Sequence, residues 1–300
     1  MKGVALSIFP GIDLLGRAFE EAGWCVVRGP DVIWGGDIHS FHPPAGVFDG
    51  IIGGDPCQSH SALVHLVRHN GNEPKFPDMS PEFQRVIEEA QPRWWVRENV
   101  PAAPKIAPAG YDVWSMQLVD YHVGGSQPRQ RLTQFGLREG LWQGGVRSPL
   151  SMIEYGEGVA TAHILAGPDA NLPRLQASTD AYRRKLEEAT LLGGNRTMRQ
   201  NWETWERSVV ADARQGSTGS RVRREGDGGG VLPHMGAVLP IEDACEAMGL
   251  PRDFTEHMPF TMHGKRSVLG NGVPMAMGRA VAAMVERALQ RCEASVEVLE

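Results

Sequence analysis

The stretch Asp49-Gly-Ile-Ile-Gly-Gly-Asp-Pro-Cys57-Gln-Ser-His-Ser61 carries the residue of this chain best suited to covalent chemistry. A short apolar run, Ile51-Ile52, reads as a buried strand that breaks at Gly53-Gly54 and delivers a cysteine directly after a proline. Pro56 fixes its own φ and the glycines admit a close neighbour, so the Cys57 thiol stands on a stiff support. A thiol where a strand gives way to a loop lies where open α/β sheets bind ligands. A solitary cysteine is more often a small core residue, so the company it keeps decides the reading. Trp94-Trp-Val-Arg-Glu98-Asn-Val100 reads as a strand with Glu98 at its C-terminal end, beside the end of the Cys57 strand. Gln127-Pro-Arg129-Gln-Arg131 puts two arginines on one face of an extended segment, because side chains alternate there. A nucleophile, a carboxylate and fixed cations are the parts of covalent catalysis with charge stabilisation. Cys57, His60, His65 and His69 also cluster, but no second cysteine pair supports a structural zinc, and no metal is expected.

The elements that must hold these groups follow from periodicity. Val4 to Phe9 is a first strand, Pro10-Gly11-Ile12-Asp13 a turn, and Leu14 to Ala22 a helix whose Leu14, Leu15, Ala18 and Phe19 share a face. Trp24 to Arg28 is a second strand, ending near Asp31. A glycine turn at the first strand end, with an acid about twenty residues on, is the pattern of a nucleotide-like cofactor held by its ribose hydroxyls. Asp37-Ile38 is expected at the next strand end, where a carboxylate could accept from an adenine amino group. Ser59 to Asp78 reads as a long functional loop. Ser80-Pro81-Glu82 reads as the cap and first turn of a helix with Phe83, Val86, Ile87 and Ala90 on one face. Tyr111 to Val123 is expected as helix then strand, with a further strand at Leu132 to Leu137. Pro240 to Met248 reads as a short helix, and Gly270-Asn271-Gly-Val273-Pro274 opens a closing helix with Val281, Met284, Val285, Ala288 and Leu289 on one side.

Three hundred residues suffice for a large domain with a smaller one inserted. Apolar runs fall short of the ~20 residues of a membrane span, and no secretory leader is read at the N-terminus. The four cysteines lie far apart with no CxxC pair, which suggests reduced thiols in a cytosol. A net charge of −6 places any nucleic-acid contact in a local patch. Arg174 to Arg224 supplies one, with eleven basic and six acidic residues against a charge of −11 elsewhere.

In this order the pieces resemble the DNA cytosine-5 methyltransferase family. The likeness rests on Phe9-x-Gly11, Asp31, Asp37-Ile38, Gly54-x-Pro56-Cys57-Gln58 with Ser61, Glu98-Asn99-Val100, Gln127-x-Arg129-x-Arg131 and Gly270-Asn271-x-Val273-Pro274. Glu242 to Pro251 looks like the family's helix before the last motif, and the compact layout resembles bacterial or phage enzymes. The resemblance implies an α/β, Rossmann-like S-adenosylmethionine-dependent methyltransferase sheet with helices on both faces and a small target-recognition domain. Residues 1–139, completed by 262–300, would form the catalytic and cofactor domain, with 140–261 as the recognition domain and connecting helix.

The same resemblance implies that Cys57 adds to C6 of a flipped cytosine, that Glu98 holds N3 and the amino group, and that Arg131, with Arg129, holds O2 and a phosphate. S-adenosylmethionine would lie on Phe9, Gly11, Ile12, Asp31, Asp37, Ile38, Pro56, Asn271 and Val273. Double-stranded DNA would meet Gln58, Ser61, Arg196 and Arg199, and the protein would act as a cytosolic monomer. Two departures carry expectations of their own. Asp13-Leu14 stands where the family has further glycine, so Asp13 caps the helix or meets the donor's ammonium. Asp55 precedes Pro56, and its charge should discourage thiolate formation at Cys57. Transfer to RNA, an altered donor, or an idle DNA-binding decoy are the alternatives; a decoy has no need of Cys57, Glu98 and Arg131 together.

Overall fold

The computed structural model of the chain describes residues 1–60, 74, 76–127, 129–144, 147–156 and 240–297. Six strands form one mixed sheet in the order β2-β1-β3-β4-β6-β5. They are β1 Val4–Ile8, β2 Cys25–Arg28, β3 Gly50–Gly53, β4 Trp94–Asn99, β5 Tyr111–Val119 and β6 Gln130–Arg138. β1 to β4 run parallel, while β6 is antiparallel to both β4 and β5. Among the described residues the helices are α1 Leu14–Glu21, α2 Ser80–Ala90, α3 Ile241–Ala247, α4 Met262–Asn271 and α5 Met275–Glu297. The chain passes from β1 outward to β2, then crosses back to β3 on the other flank. That reversal opens a crevice at the C-terminal ends of β1 and β3.

Both faces of the sheet are covered, which is why Ile51-Ile52 and Trp94-Trp95 read as unbroken apolar runs. On one face Leu15 and Phe19 of α1 and Val281, Met284, Val285 and Ala288 of α5 pack on Ala5, Ile52, Trp94 and Val96. On the other, Phe83, Val86, Ile87 and Ala90 of α2 pack on Leu6, Ile8, Ile51 and Trp95. α1 and α5 approach closely because Gly278 has no side chain; a Cβ there would stand 2.8 Å from the Ala18 Cβ. The two indoles of β4 also need glycine opposite them. Trp94 occupies the space where a Gly50 side chain would go, and Trp95 that of Gly136 on β6.

Several elements differ from expectation. Tyr111–Val119 is a strand throughout, followed by a 3-10 turn at Asp120–Val123, the reverse of helix then strand. Trp114, Met116 and Leu118 alternate with Ser115 and Gln117, and this two-residue period, paired along all of β6, wins. The strand expected at Leu132 to Leu137 extends to Gln130–Arg138. Asp37 does not end a strand; its carboxylate caps the 3-10 turn Ile38–Ser40 by accepting the His39 N–H at 3.0 Å. Ser80 lies inside α2, and the Asp78 carboxylate accepts its N–H at 2.9 Å. α4, capped by the Thr261 hydroxyl, precedes the expected closing helix, and Pro274 separates the two. The α4–α5 stretch is long and apolar enough to cross a membrane by length and composition, but 67% of its most apolar window is buried inside the protein.

Both ends of the 140–261 interval are built into the body formed by the sheet and its helices. Leu150 and Ile153 join the core beneath α5, and Ile241, Ala244, Met248 and Leu250 pack against Leu14 and Ala18. Residues 157–239, with Arg196, Arg199 and the basic run, lie outside the described residues, as does Ser61. Gly50→Ala and Gly136→Ala each force an indole out of its seat. Urea titration should show each losing about 1–3 kcal/mol of stability, the range for overpacked cores.

Candidate active site

Three strand ends build the site. At the end of β3 a Gly53 side chain would collide with the Ile8 carbonyl, so glycine lets β3 close against β1. A Cβ on Gly54 would stand 2.9 Å from both the backbone oxygen and the Oε2 of Glu98, so the Glu98 carboxylate lies over bare backbone. Pro56 then leads into the 3-10 turn Cys57–Ser59.

The Asp55 carboxylate is committed to a buried ion pair. Arg97, with no exposed surface, presents Nε to Oδ1 at 2.6 Å and an Nη to Oδ2 at 2.9 Å. The guanidinium also donates to the Pro104 carbonyl, Gln134 Oε1 and the Ser80 hydroxyl, and Ser80 donates on to Asp55. Asn99 Nδ2 donates to the Asp55 carbonyl at 3.1 Å. The negative charge expected to oppose the thiolate is therefore compensated at its source. Beyond the turn, His60 Nε2 lies 2.9 Å from Asp78 Oδ1, the carboxylate that caps α2. His65 and His69 lie outside the described residues.

Cys57, Glu98, Arg129 and Arg131 line one cleft of about 670 Å3. Arg131 Nε sits 2.8 Å from Glu98 Oε1, and Arg129 donates to the Gly270 carbonyl at 2.8 Å. Gln127, though part of the same motif, is buried and structural: its amide donates to the Ala247 carbonyl at 2.7 Å. Burial pushes the Cys57 thiol above its ordinary range; Arg131 and Arg129 pull it down and Glu98 pushes it up. Burial and neighbouring Arg131 hold Arg129 down to about 9, so it stays cationic at neutral pH. Asp120, behind the arginine segment, is pushed up to about 6 by burial, against the pull of the Gln127 N–H and Arg129.

Phe9, Gly11, Ile12, Asp31, Asp37 and Ile38 line the same cleft, as do Pro56, Gln58 and Asn271. Val273 does not: its side chain is buried in the core beneath α5. The turn after β1 is tightly wound, with Phe9, Gly11 and Asp13 at φ of 52°, 57° and 54°. For a bulky residue such as Phe9 that costs about 1–3 kcal/mol, and such strain gathers at ligand sites. Nothing lies within 4 Å of where a Gly11 side chain would stand, which leaves that backbone open to a ligand. Asp31 accepts the Gly11 N–H at 2.8 Å and the Ile33 N–H at 2.9 Å, and each carboxylate oxygen keeps a second lone pair for a hydroxyl. Asp13 is turned out of the cleft. It caps α1 through the Gly16 N–H, accepts from the Ser7 hydroxyl at 2.7 Å and pairs with Arg28 at 2.9 Å.

Sequence reasoning missed three contributors. Trp34 closes over the β1 turn, donating Nε1 to the Gly11 carbonyl at 2.8 Å and lying 5.6 Å from the Phe260 ring. Ser267 and Val268 of α4 line the cleft, and no periodicity marked α4 beforehand. Arg97 did carry a signal, since a charge within an apolar strand run demands a buried partner.

A sequence profile for C-5 cytosine-specific DNA methylases matches residues 35–287. The Type II methyltransferase M.FnuDI of Fusobacterium nucleatum is 28% identical over 167 residues, 45% of this chain and 47% of that protein. The chain thus matches about half the length of that curated relative. A prophage-encoded protein of E. coli, described as a DNA modification methyltransferase, superposes with a TM-score of 0.54 at 14% identity, covering 96% of this chain and 99% of its own. The Entamoeba histolytica methyltransferase EhMeth gives 0.50 at 12% identity, covering 95% and 98%. At these identities the two structures speak for the fold, a methyltransferase sheet of the Rossmann type. With most of the chain matched by the profile, and the Pro56-Cys57-Gln58, Glu98-Asn99 and Arg129-x-Arg131 groups gathered in one cleft, this chain belongs to the C-5 cytosine-specific DNA methylase family.

Proposed function

We propose that this protein methylates cytosine at C5 in double-stranded DNA, acting as a cytosolic monomer. The observation that carries the reading is one cleft shared by a cysteine, a carboxylate–guanidinium pair and a strained glycine turn. C5 of cytosine is a weak nucleophile and becomes reactive only when a nucleophile adds at C6. In our reading the Cys57 thiolate supplies that addition, a covalent strategy that splits one hard step into two. Glu98 holds N3 and the amino group, and Arg131 and Arg129 stabilise charge at O2 and the adjoining phosphate. After transfer a water removes the C5 proton, the electron pair returns to the ring, and Cys57 leaves.

The open Gly11 backbone, the Asp31 and Asp37 carboxylates and the polar tip of Asn271 suit a nucleoside with a charged tail, so S-adenosylmethionine fits this part of the cleft. When bound, it would supply an electrophilic methyl group. The protein's share is position: Phe9, Gly11, Ile12, Asp31, Asp37, Ile38 and Pro56 seat the nucleoside beside Cys57. A stacked base cannot reach the thiol, so the cytosine must swing out at a cost of a few kcal/mol. Gln58 lines the cleft beside Cys57; DNA contact is assigned to it, to Ser61 and to Arg196 and Arg199, with sequence recognition in the 140–261 interval.

Incubation of the wild type with a duplex containing 5-fluorocytosine and S-adenosylmethionine should yield a covalent complex on a denaturing gel, and Cys57→Ala should yield none. Transfer that survives in Cys57→Ala would refute the mechanism. Glu98→Gln should lower the rate of transfer about 100- to 1000-fold while DNA binding changes little. The raised thiol predicts slow alkylation of Cys57 by iodoacetamide at pH 7. The rate should climb about tenfold per pH unit and level off only above the ordinary cysteine range of about 8.5.

A further inference from the structure

Asp55 precedes Cys57 by two residues, and Arg97 precedes Glu98 by one. The two side chains meet on the α2 side of the sheet, behind the cleft, as a forked ion pair with both partners wholly buried. Each residue therefore shares a rigid stretch of backbone with one of the two groups that would touch the base. The pair joins the end of β3 to β4 where Cys57 and Glu98 must keep their spacing. The Asn99 amide holds the Asp55 carbonyl from the same side, and Ser80 ties the pair to α2. Support alone could come from a leucine pair, and replacing buried ion pairs with apolar residues often costs nothing. A carboxylate two residues from a thiol that must become an anion is a hazard unless a cation cancels it, and Arg97, which does not line the cleft, meets it with a forked ion pair.

We propose that Asp55 and Arg97 are positioning residues for the nucleophile: the pair fixes the spacing of Cys57 and Glu98 and removes a charge that would oppose the thiolate. The assignment rests on Cys57 being the nucleophile, as proposed above. Other charges facing Cys57 are Glu98 of β4 and Arg129 and Arg131 at the start of β6; His60 follows in the chain, held by Asp78. None of these changes in the variants below, so differences between variants isolate the pair.

The test is alkylation of the folded, full-length protein by iodoacetamide across pH, read by mass spectrometry on the peptide carrying Cys57. Arg97→Gln leaves the Asp55 charge uncompensated and should raise the midpoint by about one pH unit; Asp55→Asn leaves the Arg97 charge and should lower it by a similar amount. The double variant should return to the wild-type midpoint, and so should Arg97→Lys, which keeps the charge but loses the fork. Arg97→Lys should nevertheless capture 5-fluorocytosine DNA about tenfold more slowly, because the spacing is no longer clamped. If Arg97→Gln does not fold, Asp55→Asn and Arg97→Lys decide the matter alone. Midpoints that stay put in both charge-changing variants, or move the same way, overturn the proposal and leave the pair as fold support. Failure of the wild type to capture 5-fluorocytosine DNA would instead sink the nucleophile assignment, and the alkylation result would still stand.

Discussion

A guanidinium with no exposed surface must be met by partners on every side, and that requirement organises the centre of this protein. Arg97 draws the Asp55 carboxylate from the β3 end, the Ser80 hydroxyl from α2, the Gln134 amide from β6 and the Pro104 carbonyl from the connection after β4. Leaving one such buried charge without its counterion costs about 3–5 kcal/mol, a large share of a domain's net stability. The four segments are therefore held in one arrangement. Because Asp55 and Arg97 are chain neighbours of Cys57 and Glu98, those two cleft residues inherit that arrangement without making the contacts themselves.

The cleft at rest is electrostatically self-contained. Glu98 and Arg131 form an ion pair at 2.8 Å, and Arg129 is anchored on the Gly270 carbonyl. Burial keeps the thiol protonated. A cytosine in the cleft would compete for both partners of the Glu98–Arg131 pair, so the charges reorganise around the base. Their mutual attraction offsets part of the cost of holding a carboxylate and a cation largely out of water until that exchange occurs.

Much of this was legible in the chain. Ile51-Ile52 and Trp94-Trp95 announced strands buried on both faces, and the spacing of Val281, Met284, Val285, Ala288 and Leu289 gave the face of α5 that is buried. That Cys57, Glu98, Arg129 and Arg131 would lie near one another was legible from residue types at strand ends, and they line one cleft. What escaped depended on pairing across the sheet or on local capping, which one-dimensional spacing does not encode. β5 became a strand because β6 offered it nine partners. Asp37 went to the cap of the 3-10 turn two residues on, and Val273 to a core shared with distant strands and helices, while Asp13 took the helix cap that was one of its two expected places. Asp55 was read as a hazard because its counterion lies 42 residues away.

The arginine segment leans on residues at the end of the 140–261 interval and beyond it. Gln127 reaches the Ala247 carbonyl, Arg129 reaches the Gly270 carbonyl, and α5 supplies much of one face of the core. During synthesis on the ribosome the amino-terminal part emerges first. It would wait with Cys57 and Glu98 already made but the guanidinium side of the pocket without those anchors. A product broken off early in the interval would lack the Ala247 and Gly270 carbonyls that seat Gln127 and Arg129, and the helix that covers the sheet. The order of the chain thus ties completion of this pocket to translation having run well over a hundred residues beyond the arginine segment.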